Sequence, residues 1–302
     1  MKLAPVVLFT FNRPKHTAET LNALAANELV AETNLYIFSD GPRNNKDLAK
    51  IKEVRKLLQA IKSENIFKKV IIFESKENKG LANSVINGVT QVFTKHNSVI
   101  VLEDDLIVSS DFIKYMNDAL TFHENTNAGS VTGYNPLKLD ATQYSSRTYA
   151  SLRNCSFGWG TWKNIWDEID WDVKMYDSYR KKYFQRRDFN QTGMDRSIRL
   201  DRQMKKNVQS WSIRFGFNLF KMKKITYYPI KSKIRPNGWD GSGVHVSTGV
   251  DHFNKEIGPC NSTLFEVQEV NKTLLKKMKK LYGSGLRGEL KEIVFFIKNL
   301  IN

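Results

Sequence analysis

The sequence has few cysteines and no long apolar run. Its two cysteines, Cys155 and Cys260, are too few for the disulfide framework of a small secreted protein and fit a reducing compartment. No uninterrupted apolar stretch reaches the length that spans a bilayer, and the first residues lack the apolar core and cleavage site of a signal peptide. These absences predict a cytoplasmic protein, either soluble or bound peripherally to the inner face of the plasma membrane.

Acidic residues are a minority among the charged ones. Lys and Arg outnumber Asp and Glu by 47 to 31, which gives a formal net charge of +16. Such an excess predicts anionic partners, namely nucleotide phosphates, nucleic acid or an acidic membrane surface. The 302 residues, 41% of them hydrophobic, suffice for one large domain or two abutting lobes.

The first third of the chain alternates between short apolar runs and segments of helical spacing. The runs cover residues 6–11, 35–38, 70–73 and 99–102. This alternation predicts an α/β fold with a mixed, mostly parallel central sheet flanked by helices, and ligands bind such sheets outside the carboxyl ends of the strands. The polar groups that follow the strands are therefore candidate site residues: Arg13, Asp40, Asn78-Lys79-Gly80 and Glu103-Asp104-Asp105.

The rest of the chain has a different texture. An aromatic and glycine-rich segment, 157–162, is followed by a predicted helix over 199–220, and a glycine-rich loop precedes His245. From Asn271 onward a basic amphipathic stretch leads to a small apolar one. We therefore expect a domain over 1–255, with a nucleotide-binding half, 1–108, and an acceptor-binding half, 109–255, followed by a basic tail, 256–302. The tail fits either an anionic membrane surface or a terminal helix docked on the core.

Three carboxylates, Glu103-Asp104-Asp105, end the apolar run 99–102. Carboxylates at the mouth of a buried strand are costly unless they meet cations. Mg²⁺ and Mn²⁺ use one or two carboxylates together with phosphate oxygens, so the pattern predicts Asp105 as a ligand of a metal that carries a diphosphate. The alternative is a set of solvated acids that cap a loop. His245 could add a ligand or a phosphate hydrogen bond, or be an ordinary surface histidine.

Other candidates have structural alternatives too. Asp40 could be a turn residue, and Arg13 a solvated cation before a helix, yet both lie where a base and ribose would rest. Lys79 would attract the nucleotide. Trp159 lies between two glycines, a context in which an indole could stack on a sugar ring, whereas Trp166 fits the core.

These residues carry a family resemblance. The segment Val101-Leu102-Glu103-Asp104-Asp105-Leu106-Ile107-Val108 resembles the metal-site segment of the N-acetylglucosaminyltransferase I family, whose members have the GT-A (Rossmann-like) fold and use nucleotide-sugar donors. Phe11-Asn12-Arg13-Pro14, Phe157-Gly158-Trp159-Gly160 and Gly243-Val244-His245 are similar to its other site segments. The resemblance covers residues 5–250. It implies uracil contacts for Arg13 and Asp40, sugar and ribose contacts for Glu103 and Asp104, a direct manganese bond for Asp105, a phosphate contact for His245, and an acceptor side at Trp159 and Trp211.

One departure concerns the general base. The family has an aspartate just before a tryptophan, whereas here Asn207-Val208-Gln209-Ser210-Trp211 has no carboxylate. Neither glutamine nor serine acts as a base at neutral pH. Asp201 or Asp195 could act as the base instead. Otherwise the alignment of this segment with the family could be shifted, or the reaction could follow another stereochemical course.

The resemblance implies transfer of a sugar, GlcNAc or a related hexose, from a UDP-sugar to a hydroxyl of a glycan or lipid-linked glycan in bacterial surface-polysaccharide synthesis. Two other functions stay open at this point. A sugar nucleotidyltransferase normally has a glycine-rich Arg-Lys loop after the first strand, which Phe9-Thr10-Phe11-Asn12 lacks. A nucleic-acid-binding protein should gather its basic residues on one face with aromatics, whereas here they concentrate in the tail and near Arg180–Arg187, so we expect no nucleic-acid partner.

Overall fold

The structure is a computed structural model that describes residues 3–238, 256–258, 264–283 and 286–301. In chain order its strands are β1 Val6–Thr10, β2 Asn34–Ser39, β3 Lys69–Glu74, β4 Ser98–Glu103, β5 Leu106–Val108, β6 Ala128–Thr132, β7 Thr148–Ser151, β8 Trp159–Trp162, β9 Ile225–Pro229 and β10 Ile234–Pro236. The helices are α1 Pro14–Ala25, α2 Asn45–Ser63, α3 Leu81–Phe93, α4 Phe112–His123, α5 Lys163–Asp167, α6 Tyr176–Arg180, α7 Tyr183–Phe189, α8 Asp195–Met204, α9 Trp211–Lys221, α10 Lys272–Leu281 and α11 Leu286–Ile301.

Eight strands form one mixed sheet in the order β3-β2-β1-β4-β8-β6-β9-β7. The first four are parallel, because each returns to the sheet through a helix. Strand β8 runs antiparallel between β4 and β6, so the two predicted halves share one continuous sheet. The predicted α/β fold with a mostly parallel sheet flanked by helices is confirmed.

Local sequence explains where several helices begin. Pro14 opens α1, a position where its missing N–H costs nothing. The side chains of Asn44 and Asn271 accept backbone N–H bonds at the starts of α2 and α10. The predicted helix over 199–220 is wrong in its continuity: α8 ends at Met204 and α9 starts after its cap, Ser210.

The basic tail docks on the domain in the described residues. Leu274 and Met278 of α10 are buried against Tyr149, Tyr228 and Ile230. Helix α11 contacts α6 and α8. Among the described helices, none is both long enough and apolar enough to cross a membrane.

Candidate active site

The carboxyl ends of the parallel strands bring the predicted donor-site residues to one edge of the sheet. Arg13 follows β1, Asp40 follows β2, the 78–80 loop follows β3, and Glu103 ends β4. A parallel sheet makes this gathering unavoidable, since its strands all end on the same side. The edge is the candidate active site.

Arg13 is the cation of the acidic corner, by which we mean Glu103, Asp104 and Asp105. One arm of its guanidinium bonds Asp104, and the other donates to Asp105 Oδ2 at 2.9 Å. Asp104 also accepts the Phe11 N–H at 3.1 Å. Burial alone would lower the pKa of Arg13. The neighbouring Asp104 and Asp105 raise this pKa by more than burial lowers it, so Arg13 stays charged.

Glu103 is the least compensated member of the corner. Burial raises its pKa to about 8, with Asp105 and Asp104 adding to the effect and Arg13 opposing it. Three carboxylates thus face one guanidinium within the described residues. This excess of oxygen ligands over cations suits a hard divalent cation, which would displace the proton that a pKa of about 8 leaves on Glu103 at neutral pH. The described residues hold no group of three or more acidic, His or Cys side chains with metal-site geometry.

A short segment that sequence reasoning missed lies over the corner. The Asn237 N–H donates to the Asp105 carbonyl at 2.7 Å, and the Asn237 carbonyl lies 3.1 Å from His16 Nε2. A Cβ on Gly238 would lie 2.2 Å from Asp105 Oδ2, so any other residue there would have to displace the Asp105 carboxylate. The Asn237-Gly238 pair was the available signal, because it marks a close backbone approach.

Asp40 anchors a loop, and its predicted contact with uracil stays a prediction. Its carboxylate accepts bonds from the N–H groups of Gly41, Lys79 and Gly80 at 2.8, 2.9 and 3.0 Å, and from Asn78 Nδ2 at 3.1 Å. A carboxylate has about four acceptor positions, and these four bonds use them. The Lys79 side chain is exposed beside this loop.

The expected exposure of Trp159 is wrong, and Trp211, the other tryptophan predicted on the acceptor side, is buried as well. Trp159 is 1% exposed within β8, where it stacks between Trp211 at 4.7 Å and Trp166 at 5.8 Å between ring centroids. Trp211 is 3% exposed. The flanking glycines give Trp159 room for close packing rather than exposure, and neither indole can reach a sugar in this arrangement. The prediction that Trp166 is a core residue is confirmed.

Neither aspartate offered as a base is a free carboxylate. Asp201 is fully buried and bonded by Arg186, Tyr176 and Asn299, which excludes contact with an acceptor. Asp195 is held by both arms of Arg153 at 2.9 and 2.7 Å. Burial raises the pKa of Asp195, but the ion pair with Arg153 lowers it by more. The net lowering weakens Asp195 as a base. His245 lies outside the described residues.

Comparison with known proteins decides the family. Residues 6–222 match the model of Glycosyl transferase family 2, which is more than half of the chain. The chain belongs to this family. The eight-stranded mixed sheet is consistent with the GT-A fold.

The solved structures found are distant. S. aureus TarS 1-349 is 12% identical over 78% of this chain and 60% of that one, with a TM-score of 0.44. Its complex with UDP is 19% identical over 44% and 35%, with a TM-score of 0.33. The mannosyltransferase PcManGT from Pyrobaculum calidifontis, in complex with GDP-Man and Mn²⁺, is 9% identical over 54% and 45%, with a TM-score of 0.36. The chain thus covers less than two thirds of each of these proteins, and no curated protein matches it.

Proposed function

We propose that this family-2 glycosyltransferase is metal-dependent and uses a UDP-sugar, with GlcNAc or a related hexose, as donor. The observation that carries the proposal is the acidic corner, in which three carboxylates face the single guanidinium of Arg13 at the carboxyl ends of parallel strands. A diphosphate alone would be repelled there, whereas a diphosphate carried by Mn²⁺ or Mg²⁺ would be bound. The narrower likeness to N-acetylglucosaminyltransferase I stays a prediction.

Each residue of the corner has a proposed part. Asp105, whose side chain is 20% exposed, would hold the metal, with Glu103 and Asp104 facing the sugar and ribose. When bound, the metal supplies positive charge that neutralises the departing diphosphate. Arg13 keeps the aspartates oriented, and exposed Lys79 adds a cation that attracts the nucleotide. Gly238 leaves the space above Asp105 free of a side chain.

We further propose that the acceptor is a glycan or lipid-linked glycan hydroxyl in bacterial surface-polysaccharide synthesis, reached from an anionic membrane surface. The support is the orientation of α11. Its buried face carries the polar Glu292 and Asn299, while five apolar side chains point outward: Leu290, Ile293, Val294, Ile297 and Leu300, each 41% to 61% exposed. Exposed lysines of the adjacent α10 would face anionic headgroups.

A panel of UDP-sugars with and without Mn²⁺, read by slow UDP release to water and by calorimetry, tests the donor site. The parent should bind UDP in a metal-dependent way and turn over one sugar preferentially. Asp105→Asn should reduce turnover by about 10²–10³-fold, the usual cost of losing one electrostatic partner of the transition state. Asp188→Asn, which removes an exposed carboxylate from α7, should match the parent. Equal metal-dependent UDP binding by Asp105→Asn and the parent would reject the site.

Co-sedimentation with lipid vesicles tests the membrane surface. The parent should sediment with vesicles that contain phosphatidylserine more than with phosphatidylcholine vesicles, and high salt should weaken this binding. Ile293→Gln with Ile297→Gln should reduce it. The matched control is Leu48→Gln, which changes an apolar residue of α2 that is 51% exposed. If the α11 variant sediments like the Leu48→Gln control, α11 is not the docking face.

A further inference from the structure

A cavity of about 430 Å³ opens at the break between α8 and α9. Its wall includes Asp195, Arg199 and Arg202 of α8 and the connecting residues 208–210. A smaller cavity of about 180 Å³ shares Arg199 and Tyr282 with it. Because they share these two lining residues, we treat the two neighbouring cavities together and call them the basic cavity.

The lining of the basic cavity is strongly cationic. Its charged residues are one carboxylate, Asp195, and five cations: Arg153, Arg196, Arg199, Arg202 and Lys291. Arg153 uses both arms on Asp195, and Arg196 donates to the carbonyls of Leu152 and Phe189 at 3.0 and 3.1 Å. Those two cations are thereby engaged within the protein.

Two guanidinium groups are left on the cavity side of α8. Within the described ranges, neither Arg199 nor Arg202 has an acidic partner. Burial lowers the pKa of Arg199, and Arg153 lowers it further against the opposing effect of Asp195. Both side chains nevertheless reach solvent at the cavity, and they lie three residues apart on α8, a spacing that places neighbours on one helix face. Two guanidinium groups so placed can bind one anionic ligand, because the guanidinium fork matches the geometry of phosphate and carboxylate oxygens.

The basic cavity touches the donor edge through Gln209. The Oε1 atom of Gln209 lies 3.6 Å from the position that a Cβ would take on Gly80. Gly80, with φ +75°, belongs to the loop that Asp40 anchors after β3. The cavity therefore opens beside a loop that belongs to the donor edge.

We propose that the basic cavity binds an anionic acceptor, with Arg199 and Arg202 holding its phosphate or carboxylate groups while a neighbouring hydroxyl faces the donor. The acceptor role of the bound anion rests on the proposed glycosyl transfer, whereas anion binding by the cavity can be measured separately. The two arginines are positioning residues, since they hold the acceptor away from the reacting atoms.

Calorimetric titration of the full chain without metal, using inorganic tripolyphosphate and, separately, citrate as probes, tests the site. The parent should bind at least one probe, and the tighter one identifies phosphate or carboxylate as the preferred group. Arg199→Gln with Arg202→Gln should weaken that binding about tenfold or more for each guanidinium. The matched control is Arg187→Gln, an exposed arginine of α7 outside the cavity, which should stay within about twofold of the parent.

Two further titrations separate the anion site from the donor site. The Arg199→Gln, Arg202→Gln variant should keep metal-dependent UDP binding, and Asp105→Asn should keep probe binding. If metal-dependent UDP binding is absent from every variant while probe binding still depends on the two arginines, the proposed donor chemistry fails and the anion site stands. Equal losses in the double variant and in Arg187→Gln, or no probe binding by the parent, would overturn the anion site.

Discussion

Two of the clusters of carboxylates and guanidinium groups in the described residues differ sharply, and one of them is closed. Arg186 bonds Asp201 with both arms, at 3.0 and 2.9 Å, and Glu292 through Nε at 2.7 Å. Tyr176 and Asn299 bond the remaining positions on Asp201. Both Arg186 and Asp201 are fully buried. This cluster joins α7, α8 and α11 and is closed to solvent, since Glu292 and Asn299 are buried as well.

The acidic corner is the open counterpart. Arg13 bonds both Asp104 and Asp105, and the side chains of Arg13 and Asp105 are partly exposed. Burial raises the pKa of Glu103 beside them. The comparison shows that the presence of carboxylates and arginines does not identify a site. The open side and the shortage of cation partners distinguish the acidic corner, and they are the ground for the metal site proposed there.

The largest expected effect comes from breaking the closed cluster. Arg186→Met should lower the free energy of unfolding by about 3–5 kcal/mol, since it leaves two buried carboxylates without their cation. Urea unfolding followed by circular dichroism measures this loss. Arg187→Met, a change at the next and exposed position, should stay within about 0.5 kcal/mol of the parent. A similar small change for both variants would mean that the closed cluster carries no stability.

His123 sharpens the comparison, because it is a buried titratable group with no charged partner among the residues that the structure describes. Its ring is fully buried and stacks on Tyr227 at 3.6 Å, and burial lowers its pKa from 6.5 to about 4. Between these values the unfolded chain binds a proton that the folded chain does not, so stability falls as the pH is lowered from 6.5 to 4. The fall due to this group should reach about 3 kcal/mol.

The check is the free energy of unfolding of the parent and of His123→Phe across that pH range. The difference between them should change steeply from pH 6.5 to pH 4 and be flat above pH 7. Parallel curves for the two proteins would show that His123 titrates normally in the fold.

The smallest effect on stability is expected at the open corner. Asp105→Asn removes one carboxylate from a partly exposed pair, so the free energy of unfolding should change by no more than about 1 kcal/mol. The same variant should lose its turnover, as described above. A loss of several kcal/mol on urea unfolding would instead make Asp105 a structural residue like Asp201.

Much of the fold could be predicted because its signals are local. The apolar runs gave β1 to β4, and parallel pairing then placed Arg13, Asp40 and the acidic corner at one edge. The burial of Trp159 could not be predicted in this way. It depends on β8 entering the sheet between β4 and β6, and its neighbour Trp211 lies some fifty residues away in the chain.

The site was predictable only in part for the same reason. The oxygens of Asp40 are used by a loop that follows another strand, and Asp201 is closed by residues from α7 and α11. In the sequence alone, Asp40 and Asp201 look like ordinary exposed acidic residues, because most of the groups that bond them are distant in the chain. The basic cavity was missed because the pattern from 199 to 220 reads as one helix, whereas the break at 205–210 creates the opening.

A crystal of the protein soaked with UDP and Mn²⁺, with anomalous diffraction recorded at the manganese edge, tests the central claim most directly. We expect one anomalous peak within bonding distance of Asp105 and of the diphosphate oxygens, with Arg13 still bonded to Asp104. A corner without manganese, whose carboxylates keep only Arg13 and water while UDP binds elsewhere or not at all, would contradict the account.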